Sequence, residues 1–322
     1  MEVFKSYFEE IELALKNFTK ELGEPKELYE PISYMMQLGG KRIRPLLTLL
    51  GCEIFSNQPF LAIHQAIGIE LFHNFTLLHD DIMDKAPVRR GKETVFKKWN
   101  QNIAILAGDV MFVKAIESFI KDNQHITTTL VLFNQTAIEV CEGQQYDMNF
   151  ETSQHVTLEA YLQMIRLKTA VLLGCSLKTG AIIGGADQKA QNALFKIGEN
   201  MGLAFQLMDD YLDVFGNPEK FGKQIGGDII TNKKTFLYLT ALNNANESQK
   251  NRLITLYNQN DKTNEEVNEV IDLFKALSVD TFTFEKMNTY YKEAINLFET
   301  LPETSATEKL KRLLSYYMHR ES

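Results

Sequence analysis

The sequence predicts an all-α protein, and two observations carry that reading. Proline punctuates the first quarter of the chain at Pro25, Pro31, Pro45, Pro59 and Pro87, and is then absent until Pro218. A stretch that long without a helix breaker, rich in Leu, Ile, Ala, Met, Lys, Glu and Gln, reads as consecutive long helices. Strand signals are weak by comparison. Short β-branched patches such as 126–132 (ITTTLVL) occur, but no Asn-Gly or Asp-Gly turn follows any of them.

The elements follow in order. Residues 3–22 place Phe4, Phe8, Ile11, Leu13, Leu15 and Phe18 on roughly a helical period and stop near Gly23 and Pro25. A second helix spans 28–38 and ends at Gly39-Gly40. A third covers 45–55, with proline in its first turn. Residues 61–84 form a long, strongly apolar helix whose C-terminal end carries Asp80, Asp81 and Asp84. Further helices are expected over 103–121, 127–144, 158–179, 189–215 and 234–245. The polar, amphipathic remainder, 248–320, shows no readable chemistry. No linker or composition shift divides the chain, so 1–322 is expected to be one domain.

Composition narrows the class. At 322 residues, 44% hydrophobic and 24% charged, the chain can bury a large core. A net charge of −8 disfavours a broad nucleic-acid surface, so any anion site must be a local concentration of Lys and Arg. Cys52, Cys141 and Cys175 form neither a zinc pattern nor an even disulfide set, which suits a reducing compartment. The start, MEVFKSYFEE, lacks the basic and apolar regions of a signal peptide, and no apolar run reaches membrane-spanning length. A cytoplasmic location is expected.

The chemistry sits in charged clusters. Asp80 and Asp84 stand one above the other on a helix, and Asp81 lies one turn from Asp84. Like charges at that spacing, at the negative end of a helix dipole, are unfavourable without bound cations. A second D-D-x-x-D, Asp209, Asp210 and Asp213, follows another apolar run. Paired oxygen ligands suit Mg²⁺, which shares its coordination shell with substrate phosphates. One acidic triple alone is usually a solvated helix end; two copies point to a metal-diphosphate site. Lys41, Arg42 and Arg44 in GGKRIRP surround a turn able to grip an anion, and Arg89 and Arg90 follow the first acidic cluster. Lys168 and Thr169 interrupt an apolar helix. The glycine-rich stretch after the second cluster, 216–233, carries Lys223 and Lys233 and reads as a water-excluding lid.

This ordered set (GGKRIRP, HNFTLLHDDIMD with VRRG, GQQYD, LKT, FQLMDDYLD and GK…GGD…NK) resembles the trans-isoprenyl diphosphate synthases, the polyprenyl synthetase family. The resemblance covers about residues 38–235. It implies the isoprenoid synthase fold: a single all-α domain of about ten or more helices around a deep central cavity, usually a homodimer. It implies condensation of isopentenyl diphosphate with an allylic diphosphate (dimethylallyl, geranyl or farnesyl). By motif, Asp80, Asp84 and Asp209 would ligate three Mg²⁺, supported by Asp81, Asp210 and Asp213. Lys41, Arg44, His73 and Arg90 would bind isopentenyl diphosphate. Arg89, Lys168, Thr169, Gln206, Lys223 and Lys233 would bind the allylic diphosphate.

Phe75, five residues before Asp80, resembles the chain-length plug of short-chain members, with Thr76 in place of a second aromatic. That favours geranylgeranyl over farnesyl diphosphate as product. Asn232 departs from the glycine often found before the lid lysine; asparagine tolerates a left-handed backbone, so the turn can survive. A class I terpene cyclase would need no isopentenyl site and would carry a different second motif. A non-catalytic partner subunit would have lost one of the clusters. Neither departure is present.

Overall fold

A computed structural model of the chain describes residues 2–122, 124–153, 155–216, 225–259 and 261–318. The described residues are helical almost throughout, as the proline spacing predicts. After a 3₁₀ turn, α1 (Lys5–Lys20), α2 (Lys26–Gln37) and α3 (Ile43–Ser56) lead into α4 (Ile63–Met83). A two-stranded ribbon, β1 (Val88–Arg89) and β2 (Lys92–Glu93), precedes a short α5 (Val95–Lys98). Then come α6 (Gln101–Ile120), α7 (Ile126–Thr152), α8 (Leu158–Ile165), α9 (Val171–Ile183) and α10 (Gln188–Phe215). The chain closes with α11 (Gly227–Ile230), α12 (Phe236–Asn244), α13 (Glu247–Tyr257), α14 (Asn264–Ala276), α15 (Val279–Phe298) and α16 (Ser305–Met318).

Contacts group the chain into two compact units. The first is Met1–Asn134 with Cys175–Phe195 and Pro302–Leu310; the second is Gln135–Gly174 with Lys196–Leu301 and Lys311–Ser322. Among the described residues, no helix is long and apolar enough to cross a membrane.

In the first unit α4 is the central helix, packed against α1, α2, α3 and α6 and buried on nearly every side. Glycine permits its close crossing with α6. A Cβ on Gly68 would lie 2.9 Å from the Ala115 carbonyl oxygen, and one on Gly108 would coincide with the His79 ring. The contact of α3 with α9 uses the same device three times. A Cβ on Gly51, Gly180 or Gly184 would lie 2.4, 2.0 or 2.5 Å from the carbonyl oxygens of Leu177, Thr48 and Cys52. Tyr7 on α1 donates to Glu53 on α3, and Lys309 on α16 donates to both, at 2.6 and 3.0 Å.

The second unit is cored by Leu207, Leu237, Leu253, Leu256, Val270, Phe274 and Met287, drawn from α10, α12, α13, α14 and α15. Two of these helices begin with capping boxes: Asn246 with Gln249 at α13, and Thr263 with Glu266 at α14.

Three expectations are revised. The helix expected over 127–144 is present as α7, starting at Ile126, but it continues to Thr152, past the expected end at residue 144. The single helix expected over 158–179 is broken by a π-turn, Arg166–Ala170. The β1–β2 hairpin, with Arg90 and Gly91 as its two loop residues, had no Asn-Gly or Asp-Gly to announce it.

Gly180→Ala is expected to destabilise the protein by about 1–3 kcal/mol, since the α3–α9 approach leaves no room for a methyl group. A lowered urea midpoint at unchanged m-value would show it.

Candidate active site

The first unit assembles a basic and an acidic half around the end of α4. Gly39 (φ 77°) and Gly40 (φ 149°) take backbone angles open to glycine, and they bring the chain beneath the Arg90 guanidinium. Arg90 donates to the Gly39 carbonyl, and a Cβ on Gly40 would lie 3.1 Å from its Nη1. Arg90 itself sits at the hairpin tip with φ 53°, beside Gly91 with φ 76°, so both loop residues have positive φ, as a type I′ turn requires. Arg89, the preceding strand residue, points its guanidinium back to α4. Its Nε and Nη2 each lie 2.8 Å from Asp81 Oδ1.

The three basic residues of GGKRIRP part company. Lys41 is exposed. Arg42, left-handed at φ 47° and only 4% exposed, turns inward. It donates to Glu12 at 2.8 Å, Glu70 at 2.7 Å and the Met36 carbonyl at 2.9 Å. Asn74 also donates to Glu70. The sequence reading that grouped Arg42 with the anion-binding cations is thus corrected: a buried cation must be paired, and two carboxylates pair it. Arg44 instead reaches His73, with Nη1 3.1 Å from Nε2. Guanidinium can only donate, so Nε2 accepts and the ring proton lies on Nδ1. Burial, and then the neighbouring Arg44, Arg90, Arg89 and Arg42, hold the His73 pKa well below its usual range.

At the helix end, Asp80, Asp81 and Asp84 divide by burial. Asp81 is 2% exposed; burial raises its pKa and Arg89 opposes that rise. Asp80 is half-buried and Asp84, the C-cap residue, is exposed. Phe75 does not stand alone. It stacks on Phe112 of α6 at 5.3 Å and 16°, and meets His79 edge-on at 4.7 Å. Phe72, Phe133 and Phe119 continue the cluster, with successive ring centroids 5.2 and 4.4 Å apart. Thr76 spends its hydroxyl on the His73 carbonyl.

The second unit carries a further set of charged and polar residues on α10 and the π-turn. Lys168 lies within that turn and donates to Asp147 of α7 at 2.6 Å. Thr169 donates weakly to Gln206 at 3.4 Å. The widened turn fits because its neighbours are glycines: a Cβ on Gly143 would lie 2.3 Å from the Lys168 nitrogen, and one on Gly202 would lie 2.5 Å from Ala170 Cα. On α10 the second aspartate set divides as the first does. Asp210, 4% exposed, accepts from Tyr161 at 2.5 Å and from Gln206 at 3.3 Å. Burial, then the charge of Asp228, pushes its pKa up to about 8. Asp213 accepts the Asp228 amide at 2.9 Å and so holds the start of α11. Asp209 is half-buried. Lys233 is 3.6 Å from Asp228, with its side chain 67% exposed. Lys223 lies outside the described residues.

Among the described residues, no three His, Cys, Asp or Glu side chains are gathered as a finished metal site. The donor set nevertheless fits a hard cation. In each D-D-x-x-D the second carboxylate is buried and bonded within the protein, while Asp80 and Asp209 are half-buried and Asp84 is exposed, and carboxylate oxygens are the donors such a cation takes.

The sequence profile of the family described as "Polyprenyl synthetase" matches residues 25–274. The chain belongs to the polyprenyl synthetase family. Its match spans every motif described above. The short chain isoprenyl diphosphate synthase of Methanothermobacter thermautotrophicus is 36% identical over 100% of this chain and 98% of its own. The geranylgeranyl diphosphate synthase of Sulfolobus acidocaldarius is 32% identical over 99% of each chain. The crystal structure of geranylgeranyl pyrophosphate synthetase from Pyrococcus horikoshii superposes with a TM-score of 0.94 at 36% identity, covering 99% of this chain and 97% of that one. The all-α isoprenoid synthase fold is therefore established.

Sequence reasoning missed five residues in this polyprenyl synthetase. Asp147 was present in the GQQYD motif without a role. Tyr161 and Glu70 carry no motif, Asn74 stands in HNFTLLHDDIMD without a role, and all three reveal themselves only as partners of buried charges. Phe112 was hidden among the apolar residues of α6.

The His73 shift has a consequence for stability. Its pKa is lowered in the folded state, so below about pH 6.5 the unfolded chain takes up a proton that the folded one refuses. Stability conferred by neutral His73 is thus complete above that pH and falls on acidification, by at most about 1.4 kcal/mol per pH unit. His73→Gln is expected to flatten the dependence of the urea midpoint on pH between 7 and 5.

Proposed function

We infer that the chain is a short-chain trans-prenyltransferase that joins isopentenyl diphosphate to an allylic diphosphate, giving geranylgeranyl diphosphate in preference to farnesyl diphosphate. Family membership over residues 25–274, with both aspartate motifs and the basic motifs intact, carries the reading. The geranylgeranyl synthases among its relatives support the product class.

In this reading Asp80, Asp84 and Asp209 would hold Mg²⁺, with three ions per site expected from the family. When bound, those ions neutralise the charge that grows on the diphosphate as the allylic C–O bond breaks. Arg89, Lys168, Lys223 and Lys233 add hydrogen bonds to the leaving oxygens, strengthening as the charge develops. Asp81 and Asp210 act as supporting carboxylates: each fixes a neighbour (Arg89 and Gln206) in place. Thr169 and Gln206 turn oxygen dipoles toward the allylic cation. Lys41, Arg44 and Arg90 hold isopentenyl diphosphate, and neutral His73 orients Arg44 without adding charge. Alignment of the alkene with the cation supplies much of the rate. The departing diphosphate takes the proton that restores the double bond.

We also propose one domain, since four of the five boundaries between the two units, after residues 134, 174, 195 and 310, fall inside α7, α9, α10 and α16. A homodimer is supported by the exposed Leu106, Val113 and Ile120, spaced seven apart on α6. A cytoplasmic location agrees with three free cysteines.

Incubated with Mg²⁺ and farnesyl or geranyl diphosphate, the protein is expected to elongate only when isopentenyl diphosphate is present. Hydrocarbon released from the allylic substrate alone would mark a cyclase, and inertness a partner subunit. Asp209→Asn should lower kcat on the order of 10²–10³-fold.

The ring stacking bears on product length. Removing Phe75 exposes the face of Phe112, which still blocks the same direction. Phe75→Ala is expected to lengthen the products, and Phe75→Ala with Phe112→Ala to lengthen them further, as read by reversed-phase chromatography. Unchanged products in the double variant would refute the plug.

A further inference from the structure

The segment between α11 and α12 shows a local construction that the motif does not require. Asn232 occupies the left-handed region at φ 58°, and its amide binds the connection between α13 and α14. Its Nδ2 donates to the Gln259 carbonyl at 3.0 Å, while its Oδ1 accepts from the Lys262 ammonium. Lys262 closes the triangle by donating to the same Gln259 carbonyl at 3.0 Å, and its ammonium lies 5.6 Å from the Tyr257 ring centroid. On the other side, Lys234 donates to the Phe150 and Glu151 carbonyls at the C-terminal end of α7, at 2.7 and 3.1 Å. Lys233 stands between these two anchors.

We propose that Asn232, Gln259 and Lys262 form a side-chain clip that positions Lys233 for the allylic diphosphate. Asn232 and Lys262 are positioning residues: they act through Lys233, and the proposal rests on the prenyltransferase reading given above. The physical argument is one of entropy. An exposed lysine carries large rotamer freedom, and fixing the backbone on either side removes the part of that freedom contributed by main-chain motion. Glycine at 232 would take the left-handed angle at no steric cost but would leave the turn unattached. Asparagine takes the same angle and attaches it, so this chain gains an anchor that a glycine lacks.

Asn232→Gly retains the backbone angle and loses the side-chain bonds but also frees the main chain, so Lys262→Met, which leaves residue 232 unchanged, must show the same effects. Lys262→Met removes the other partner, and Lys262→Arg retains the cation. With the full-length protein, Mg²⁺ and farnesyl diphosphate, Asn232→Gly and Lys262→Met are each expected to raise the allylic KM about three- to tenfold, the size of one or two lost hydrogen bonds. The KM for isopentenyl diphosphate should not move, and Lys262→Arg should recover most of the loss. The double variant should be little worse than either single one, as residues sharing one interaction are non-additive. Hydrogen exchange of the amides from Asp228 to Thr235 should quicken in Asn232→Gly, whether or not the protein elongates prenyl chains. An unchanged allylic KM in Asn232→Gly, effects that multiply in the double variant, or unaltered exchange would each overturn the clip. An inert wild-type protein with quickened exchange in Asn232→Gly would instead sink the enzymatic reading and leave the clip standing.

Discussion

Charge buried away from water must be paired, and that constraint decides which residues of this protein build the site and which are left to act. Four charged or ionisable side chains near the motifs are almost wholly buried: Arg42, Glu70, Asp81 and Asp210. Each has its partner within the protein, and each pairing fixes a neighbouring group of a motif. Arg42 and Glu70 pin the turn that presents Lys41 and Arg44. Asp81 holds the hairpin that presents Arg90. Asp210 holds Gln206 beside Thr169. A buried pair of this kind is weak evidence for stability, because desolvation consumes much of the attraction. Its value here is placement.

A second economy is backbone strain. Non-glycine residues with positive φ are uncommon, yet Arg42, Lys85, Arg90 and Asn232 all lie within or beside the motifs. Each costs energy that its surroundings must supply. For Arg42 the compensation is three hydrogen bonds; for Asn232 it is the attachment to Gln259 and Lys262. The π-turn at Arg166–Ala170 belongs with them. It turns Lys168 and Thr169 out of the register of an unbroken α-helix, and it depends on Gly143 and Gly202 leaving room.

Much of this was legible beforehand. Helix existence followed from proline spacing, and the charged motifs were visible in one dimension because their spacing is local. What could not be read were consequences of contacts distant in sequence. Nothing in GGKRIRP says that its middle cation faces Glu70, twenty-eight positions away. Nothing in MIRLKTAVLLG announces a π-turn, since the glycines that admit it stand on α7 and α10. The hairpin was missed for a narrower reason: Arg-Gly is a poor match to the Asn-Gly signature, and Arg90 is held there by its bond to Gly39. The capping boxes at α13 and α14 are local and readable in the sequence as N-x-x-Q and T-x-x-E.

The pairing of Arg89 with Asp81 couples the acidic motif to the basic one more tightly than their separate descriptions suggest. The end of α4 carries three carboxylates where the helix dipole is already negative, so the helix gains from any cation that reaches it. Arg89 supplies that cation from a hairpin too short to be stable by itself. The hairpin therefore depends on the acid cluster for its position, and the cluster depends on the hairpin to relieve its repulsion. Asp80 is half-buried and Asp84 exposed, whereas Asp81 is 2% exposed, so burial separates the three carboxylates of one motif. In this arrangement one of the three carboxylates is committed to holding the hairpin.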